Sequence, residues 1–313
     1  MTDYEIMQPN KDLIEIDNNE KLIKEFIKDM ILMPSVTAHK WSEITNQTPN
    51  LKIGYPGQHL ASLITGMKGN ATGARGNDII DGSEVKSCSK IDQSDKCLEC
   101  KSNVLRSLNK CPKCGSSNIK RNNDSKWLIP VRSEDELNLL INETPRFIFI
   151  VTDYPNFINN NYNDIRIRAF EIWVKSSRCE KFITMMKSYY ENIYLKHIQK
   201  NPNKTPAPKN LFPDNYPFYM CNPIKTFECI IKNALSESEI NIVKYIQPDK
   251  NRSTLESEKM PIELLTTNEY NILKSHIPNI DNISTLDEKE RIFLQLRDTD
   301  KQIKIIGNKK HKI

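Results

Sequence analysis

Two Cys-x-x-Cys knuckles, Cys97-x-x-Cys100 and Cys111-x-x-Cys114, constrain this chain more than any other feature. A spacer of ten residues separates them. Each knuckle turns two thiolates toward one point, and two knuckles close a tetrahedron that suits Zn²⁺. Gly115, directly after the second knuckle, permits the tight turn that such a half-site needs. All four ligand positions are Cys, so none stays open for a reactive water, and the expected zinc is structural. Neither knuckle opens a helix after a strand, which argues against redox chemistry. The segment that must fold round the ion, 93–126, reads as an insertion in a larger fold. Lys96, Lys101, Arg106, Lys110, Lys113, Lys120 and Arg121 make it basic. It reads equally as a DNA-contacting ribbon or as a clip that stabilises a long loop.

The other four cysteines, Cys88, Cys179, Cys221 and Cys229, are scattered through apolar segments. That is the pattern of reduced, buried thiols in a cytoplasmic protein, not of a secreted disulfide framework. At 313 residues the chain can form one large domain or two modest ones. No apolar stretch approaches the length of a membrane span, and the acidic start, Met1-Thr2-Asp3-Tyr4-Glu5, is no signal peptide. A net charge of +5 permits a polyanionic partner without requiring one.

Apolar residues recur at helical spacing in the first fifty residues, so 1–53 reads as a helical region. Gln58 to Ile64 reads as a short helix bounded by glycines, before a Gly-, Ala- and Thr-rich loop at 66–76. Residues 133–142 begin with a capping Ser and read as a helix. The continuous apolar run 146–152 is expected as a buried central strand. The alternating segment 165–174 is expected as another, with a long amphipathic helix over 178–199. Residues 200–217 are rich in Pro and Asn and read as a linker. These signals divide the chain into a core at 54–199, carrying the insertion, and a region at 218–313. In the latter, helices at 266–276 and 284–296 and a hairpin arm at 297–306 suggest a winged-helix-like unit.

Just before the knuckles lies Asn77-Asp78-Ile79-Ile80-Asp81-Gly82-Ser83-Glu84-Val85-Lys86. Asp81-Gly82 signals a hairpin turn. A three-residue loop, Ile80-Asp81-Gly82 with Gly82 left-handed, sets Asp78 opposite Glu84. Glu84 and Lys86 are two apart and share one strand face. Two carboxylates and an ammonium then converge. Clustered carboxylate oxygens suit Mg²⁺, and a nearby Lys can orient a water, which is the chemistry of phosphodiester hydrolysis. Asp81 is the reserve ligand if the loop register differs.

Asp78…Glu84-Val85-Lys86 resembles the PD-(D/E)XK nuclease signature. The stretch from Ala71 to Ser89, running into the zinc ribbon, resembles type II restriction endonucleases of the MamI kind within that superfamily. The likeness is clearest over 54–130. Asn77 stands where the signature has Pro, and the Asp-to-Glu gap is short. The resemblance implies an α/β fold, a mixed sheet flanked by helices, with Asp78, Glu84 and Lys86 catalytic. It implies Mg²⁺-dependent cleavage of double-stranded DNA at a short palindrome by a homodimer. The family's first helix often adds a polar group to the site, for which Gln58 and His59 are the candidates. Arg75 and Lys126-Trp127 would face DNA, and the basic end, including Lys301 and Lys304, would grip phosphates. The region 218–313 would read the sequence or form the dimer. Two rivals remain: a modification-dependent or repair nuclease with the same core, and a non-catalytic zinc-ribbon DNA-binding protein.

Overall fold

A computed structural model describes residues 7–17, 20–50, 52–71, 76–91, 93–261 and 267–276. Its first half holds helices α1 (Glu20–Ile27), α2 (Met33–Thr45) and α3 (Gly54–Thr65), then strands β1 (Glu84–Ser89), β2 (Asp95–Cys97), β3 (Asn103–Val104), β4 (Ile119–Lys120) and β5 (Trp127–Ile129). Next come α4 (Glu134–Asn138), β6 (Arg146–Asp153), β7 (Ile165–Trp173), α5 (Glu180–Tyr189) and α6 (Leu195–Lys200). The chain continues through β8 (Lys209–Leu211), α7 (Tyr216–Met220), β9 (Ile224–Lys232), β10 (Glu239–Tyr245) and α8 (Thr267–His276).

The central sheet runs β1-β6-β7-β9-β10. β1 pairs with β6 in parallel and the remaining pairs are antiparallel, so the sheet is mixed. β6 is the continuous apolar run, and every one of its residues is buried. A strand alternates its side chains, so β6 feeds two cores at once. Phe147, Phe149 and Val151 join Trp127, Phe182 and Phe218 on one face. Ile148 and Ile150 join Ile23, Ile27, Leu60 and Ile64 from α1 and α3 on the other. Helices thus cover both faces of the sheet, as the fold expectation required.

Two expectations change. The segment at 200–217 does not separate two units. β8 lies inside it and pairs with β5, and β9 and β10 lie beyond it and complete the central sheet against β7. The core therefore extends at least to Tyr245. Pro and Asn enrichment marks where backbone pairing lapses, but not where the chain returns. Second, 77–92 is not a hairpin. Its turn forms, but β1 runs parallel to β6, and the arm before the turn contributes only a bridge between Ile79 and Gly69. Of the winged-helix-like unit, α8 is present. The segments 284–296 and 297–306 lie outside the described residues.

α3 packs against β1 through a glycine. A Cβ on Gly57 would stand 1.8 Å from the Ser87 hydroxyl oxygen. Gly57→Ala must therefore push the first turn of α3 off β1. We expect a loss of roughly 1–3 kcal/mol, the usual cost of overpacking. A denaturant midpoint unchanged from the parent protein would refute this contact.

Candidate active site

The site stands on the edge of the sheet, where β1 has a strand partner on one side only among the described residues. The turn before β1 is closed by backbone bonds. Asp78 and Ile79 both donate to the Ser83 carbonyl at 3.1 Å, and Gly82 donates to Ile79 at 2.9 Å. Gly82 has φ +88°, a left-handed backbone that a side chain would strain. The Asp78 carboxylate folds over the strand edge and accepts from the Val85 amide at 2.7 Å. Its other oxygen accepts from the Gln58 amide at 2.5 Å. The Lys86 ammonium donates to the Glu84 carboxylate.

Asp78, Glu84, Val85 and Lys86 share an open cleft of about 250 Å³ with Gly54, Tyr55 and Gln58 from the first turn of α3. Sequence spacing brought Asp78, Glu84 and Lys86 together, and the fold delivers the helix beside them. Of the two candidates on that helix, Gln58 enters the cleft. His59 packs its ring beside Phe26 of α1, with centroids 6.1 Å apart. Tyr55, 66% exposed at the rim, was not anticipated. Its cue is the Gly-Tyr-Pro-Gly turn, where an aromatic ring sits among residues that offer it nothing to pack against.

Burial raises the Asp78 carboxyl above its ordinary pKa, against the Val85 hydrogen bond and the Lys86 charge, which lower it. Burial likewise raises Glu84, while Lys86 opposes the shift and Asp78 adds to it. Two carboxyls held together against their solvation are a donor set for a hard cation, which would relieve both.

Asp81 is committed elsewhere. One of its oxygens caps the Ser83 amide at 2.9 Å, and the other takes the Arg146 guanidinium at 2.8 Å. Arg146 is fully buried. It also donates to the Ser83 hydroxyl at 2.8 Å and pairs with Glu171 at 3.3 Å. Glu171 in turn pairs with Arg252 at 3.3 Å and accepts from the Trp173 indole at 2.8 Å. The reserve ligand thus anchors the turn instead of lining the cleft. Sequence reasoning missed this chain of charges, whose members are far apart along the polypeptide. An Arg at the head of an otherwise apolar strand was the available hint.

The four cysteines of the insertion also meet. Their sulfurs all lie within 4.8 Å of one another, with Cys97 and Cys114 at 3.6 Å and Cys100 and Cys111 at 3.5 Å. Zinc–thiolate bonds of about 2.3 Å give tetrahedral edges of about 3.8 Å. The two knuckles are built alike. Lys101 donates to Cys97 and Gly115 to Cys111, and both residues are left-handed, at φ +60° and +73°. The residues therefore fit a zinc ion.

The insertion is fastened to the core by its own arginines. Arg106, 3% exposed, stacks over Tyr154, Phe157 and Tyr162 at 5.0–5.7 Å and pairs with Asp95 at 3.1 Å. Arg121 pairs with the same Asp95 at 2.7 Å. Neither guanidinium presents itself to a DNA backbone. Lys96, Lys101, Lys110, Lys113 and Lys120 remain exposed. Of the expected DNA contacts, Lys126 is exposed, with its ammonium 5.9 Å from the Phe212 ring. Trp127 is core, and its indole donates to the Ile150 carbonyl at 2.8 Å. Arg75, Lys301 and Lys304 lie outside the described residues.

Residues 40–263 match the family described as MamI restriction endonuclease. The chain belongs to this family. The match to the MamI family takes in α3, the turn from Asp78 to Glu84, the cysteine insertion and the whole central sheet. Among curated proteins, it is similar to the type II restriction enzyme MamI of Microbacterium ammoniaphilum, at 32% identity over 75 residues. That alignment covers 24% of each protein, so the chain spans about a quarter of the length of the relative it matches. No solved structure matches. No helix among the described residues is long and apolar enough to cross a membrane.

Proposed function

We propose that this chain is a type II restriction endonuclease with a PD-(D/E)XK core, which hydrolyses double-stranded DNA at a short palindromic site in a Mg²⁺-dependent reaction. The observation that carries the reading is the open cleft in which Asp78, Glu84 and Lys86 stand together on the edge of β1. Membership of the MamI family supports it. Asp78 and Glu84 would hold the cation. A bound Mg²⁺ supplies Lewis-acid polarisation of the scissile phosphate and its attacking water. The protein's part is orientation. Gln58 and the Val85 amide fix the two Asp78 oxygens, so this carboxylate cannot swing away when the cleft empties. Lys86 places an ammonium beside Glu84, where it can orient the water and offset charge on the phosphate. The cleft is open enough for a DNA backbone to reach these groups.

The decisive test is digestion of plasmid and phage DNA with the purified chain. Discrete, Mg²⁺-dependent fragments with defined ends are expected. A continuous smear, or no cleavage with Mg²⁺ or Mn²⁺ across many DNA sequences, would overturn the reading. Each chain has one such cleft among the described residues, and a duplex has two strands to cut. The reading therefore includes a homodimer whose two-fold axis matches the palindrome.

The second metal in the reading is a structural Zn²⁺ held by Cys97, Cys100, Cys111 and Cys114. Elemental analysis of protein kept from chelators should give about one zinc per chain. Because such ligands gather only when the metal is bound, Cys100→Ser should leave the insertion loosely folded and open to protease. Well under half an equivalent of zinc would count against the site.

A further inference from the structure

The outward face of α2 carries an apolar stripe with an unusual internal symmetry. Met33, Trp41 and Ile44 are 51%, 56% and 65% exposed, and Met30, in the wider turn just before the helix, is 44% exposed. Thr37, also exposed, lies between them. The opposite face of the same helix holds the buried Ser35 and Ser42. At 100° per residue, positions 33, 37, 41 and 44 fall on one side of α2, and Met30 precedes them in the wider turn. The other exposed large apolar residues are dispersed over several elements of the fold.

The steps between these positions are 3, 4, 4 and 3 residues. Read from either end, the order of steps is the same, with Thr37 at the centre. With those steps, an antiparallel copy related by a two-fold axis through Thr37 sets each residue of the stripe opposite another of the stripe. Thr37 then meets Thr37, Met33 meets Trp41, and Met30 meets Ile44. Each copy offers the same patch, as an isologous interface requires. The pairs are also chemically matched. A flexible thioether fits against an indole better than most side chains, and sulfur–aromatic contact adds to the buried area. We propose that α2 is the dimerisation helix, and that its occupant is α2 of a second copy of this chain.

The spacing argument stands apart from the nuclease reading. Its consequence for that reading is that the dimer contact lies on the N-terminal side of the catalytic site, not in the C-terminal region. Residues 46–53 join α2 to Gly54, which lines the cleft. A short connection therefore ties the dimer helix to each site.

Sedimentation velocity of the full-length protein tests this without reference to cleavage. The parent chain should sediment at twice the chain mass, and a Trp41→Glu/Ile44→Glu variant at the monomer mass while still unfolding in one cooperative transition. A second test uses the centre of symmetry. Helix axes about 8–10 Å apart, with Cα atoms about 2.3 Å from each axis, leave facing Cα atoms roughly 3.4–5.4 Å apart, a range that overlaps the Cα spacing of a disulfide. Thr37→Cys should then cross-link two chains in high yield with a copper–phenanthroline oxidant. Glu43→Cys, exposed on the same helix but off the stripe, should not. A monomeric parent chain, a charge variant that stays dimeric, or equal cross-linking of the two cysteine variants would each overturn the proposal. A dimer that behaves as described but never cleaves DNA would leave this interface standing and remove only the nuclease reading.

Discussion

Glu84→Gln, Asp78→Asn and Lys86→Ala are each expected to lower the cleavage rate by on the order of 10³-fold or more while leaving the fold intact. The magnitude follows from what a bound cation contributes. Several kcal/mol of transition-state stabilisation depend on it, and each 1.36 kcal/mol is tenfold in rate. The two carboxamide substitutions keep the shape of the side chains. After Asp78→Asn an amide oxygen can still accept from the Val85 backbone, and after Glu84→Gln one can still accept from Lys86. Neither variant bears the charge that would hold Mg²⁺. Asp81→Asn is the informative companion. Its carboxylate faces Arg146, not the cleft, so its loss should cost stability first and rate only indirectly. Plasmid-nicking rates measured beside melting curves separate the two outcomes. Full activity in any of the first three variants would remove that residue from the site. A dead but fully stable Asp81→Asn would return the ligand role to Asp81.

Arg146→Met should be among the most destabilising single changes in the chain, by roughly 3–5 kcal/mol, because it strips a partner from buried charges. Glu171 is fully buried, and Arg146 and Arg252 flank it. Burial alone would raise its carboxyl, but Arg252 and Arg146 outweigh that and hold it below the ordinary range. Asp153 behaves alike. Burial is overcome by Arg168 and Arg166, and its carboxyl sits well below the usual value. Both acids are thus depressed on folding. Their stabilisation is present above the unfolded carboxylate value of about 4 and is lost as pH falls toward the folded values. A melting series should fall steeply below about pH 4. In Arg146→Met the Glu171 share of that dependence should shrink. Equal acid sensitivity in the two proteins would argue that Glu171 does not rely on Arg146.

Much of the site was legible because its chemistry is local. The knuckles are four-residue units, and the Asp78 turn closes within a few residues, so spacing alone was enough to bring their atoms near one another. β6 was legible because a strand buried on both faces must be apolar throughout. What escaped was non-local. Nothing in Glu84 to Ser89 says that the partner of this strand is β6, far along the chain and parallel, instead of the arm across the turn. Nothing in the Pro- and Asn-rich stretch says that β9 will rejoin the sheet. One practical result is that a chain ended near Asn210 would lack two strands of the central sheet and could not report on DNA recognition by the remainder. The arginines of the insertion were misjudged for a related reason. Composition counts Arg106 and Arg121 as surface charge, whereas aromatic rings and Asp95 enclose them.

The position of β1 at the sheet's rim bears on how the protein stays apart from its neighbours. An uncovered strand edge offers unpaired amides and carbonyls to any passing chain, and proteins commonly blunt such edges with charge. Here Asp78 occupies the Val85 amide, and Glu84 and Lys86 flank it. The groups that would bind the cation are also the ones that keep another strand from docking there. Neutral variants built to abolish cleavage will therefore be more prone to self-association in concentrated solution, and a bound divalent ion will oppose it in the parent protein.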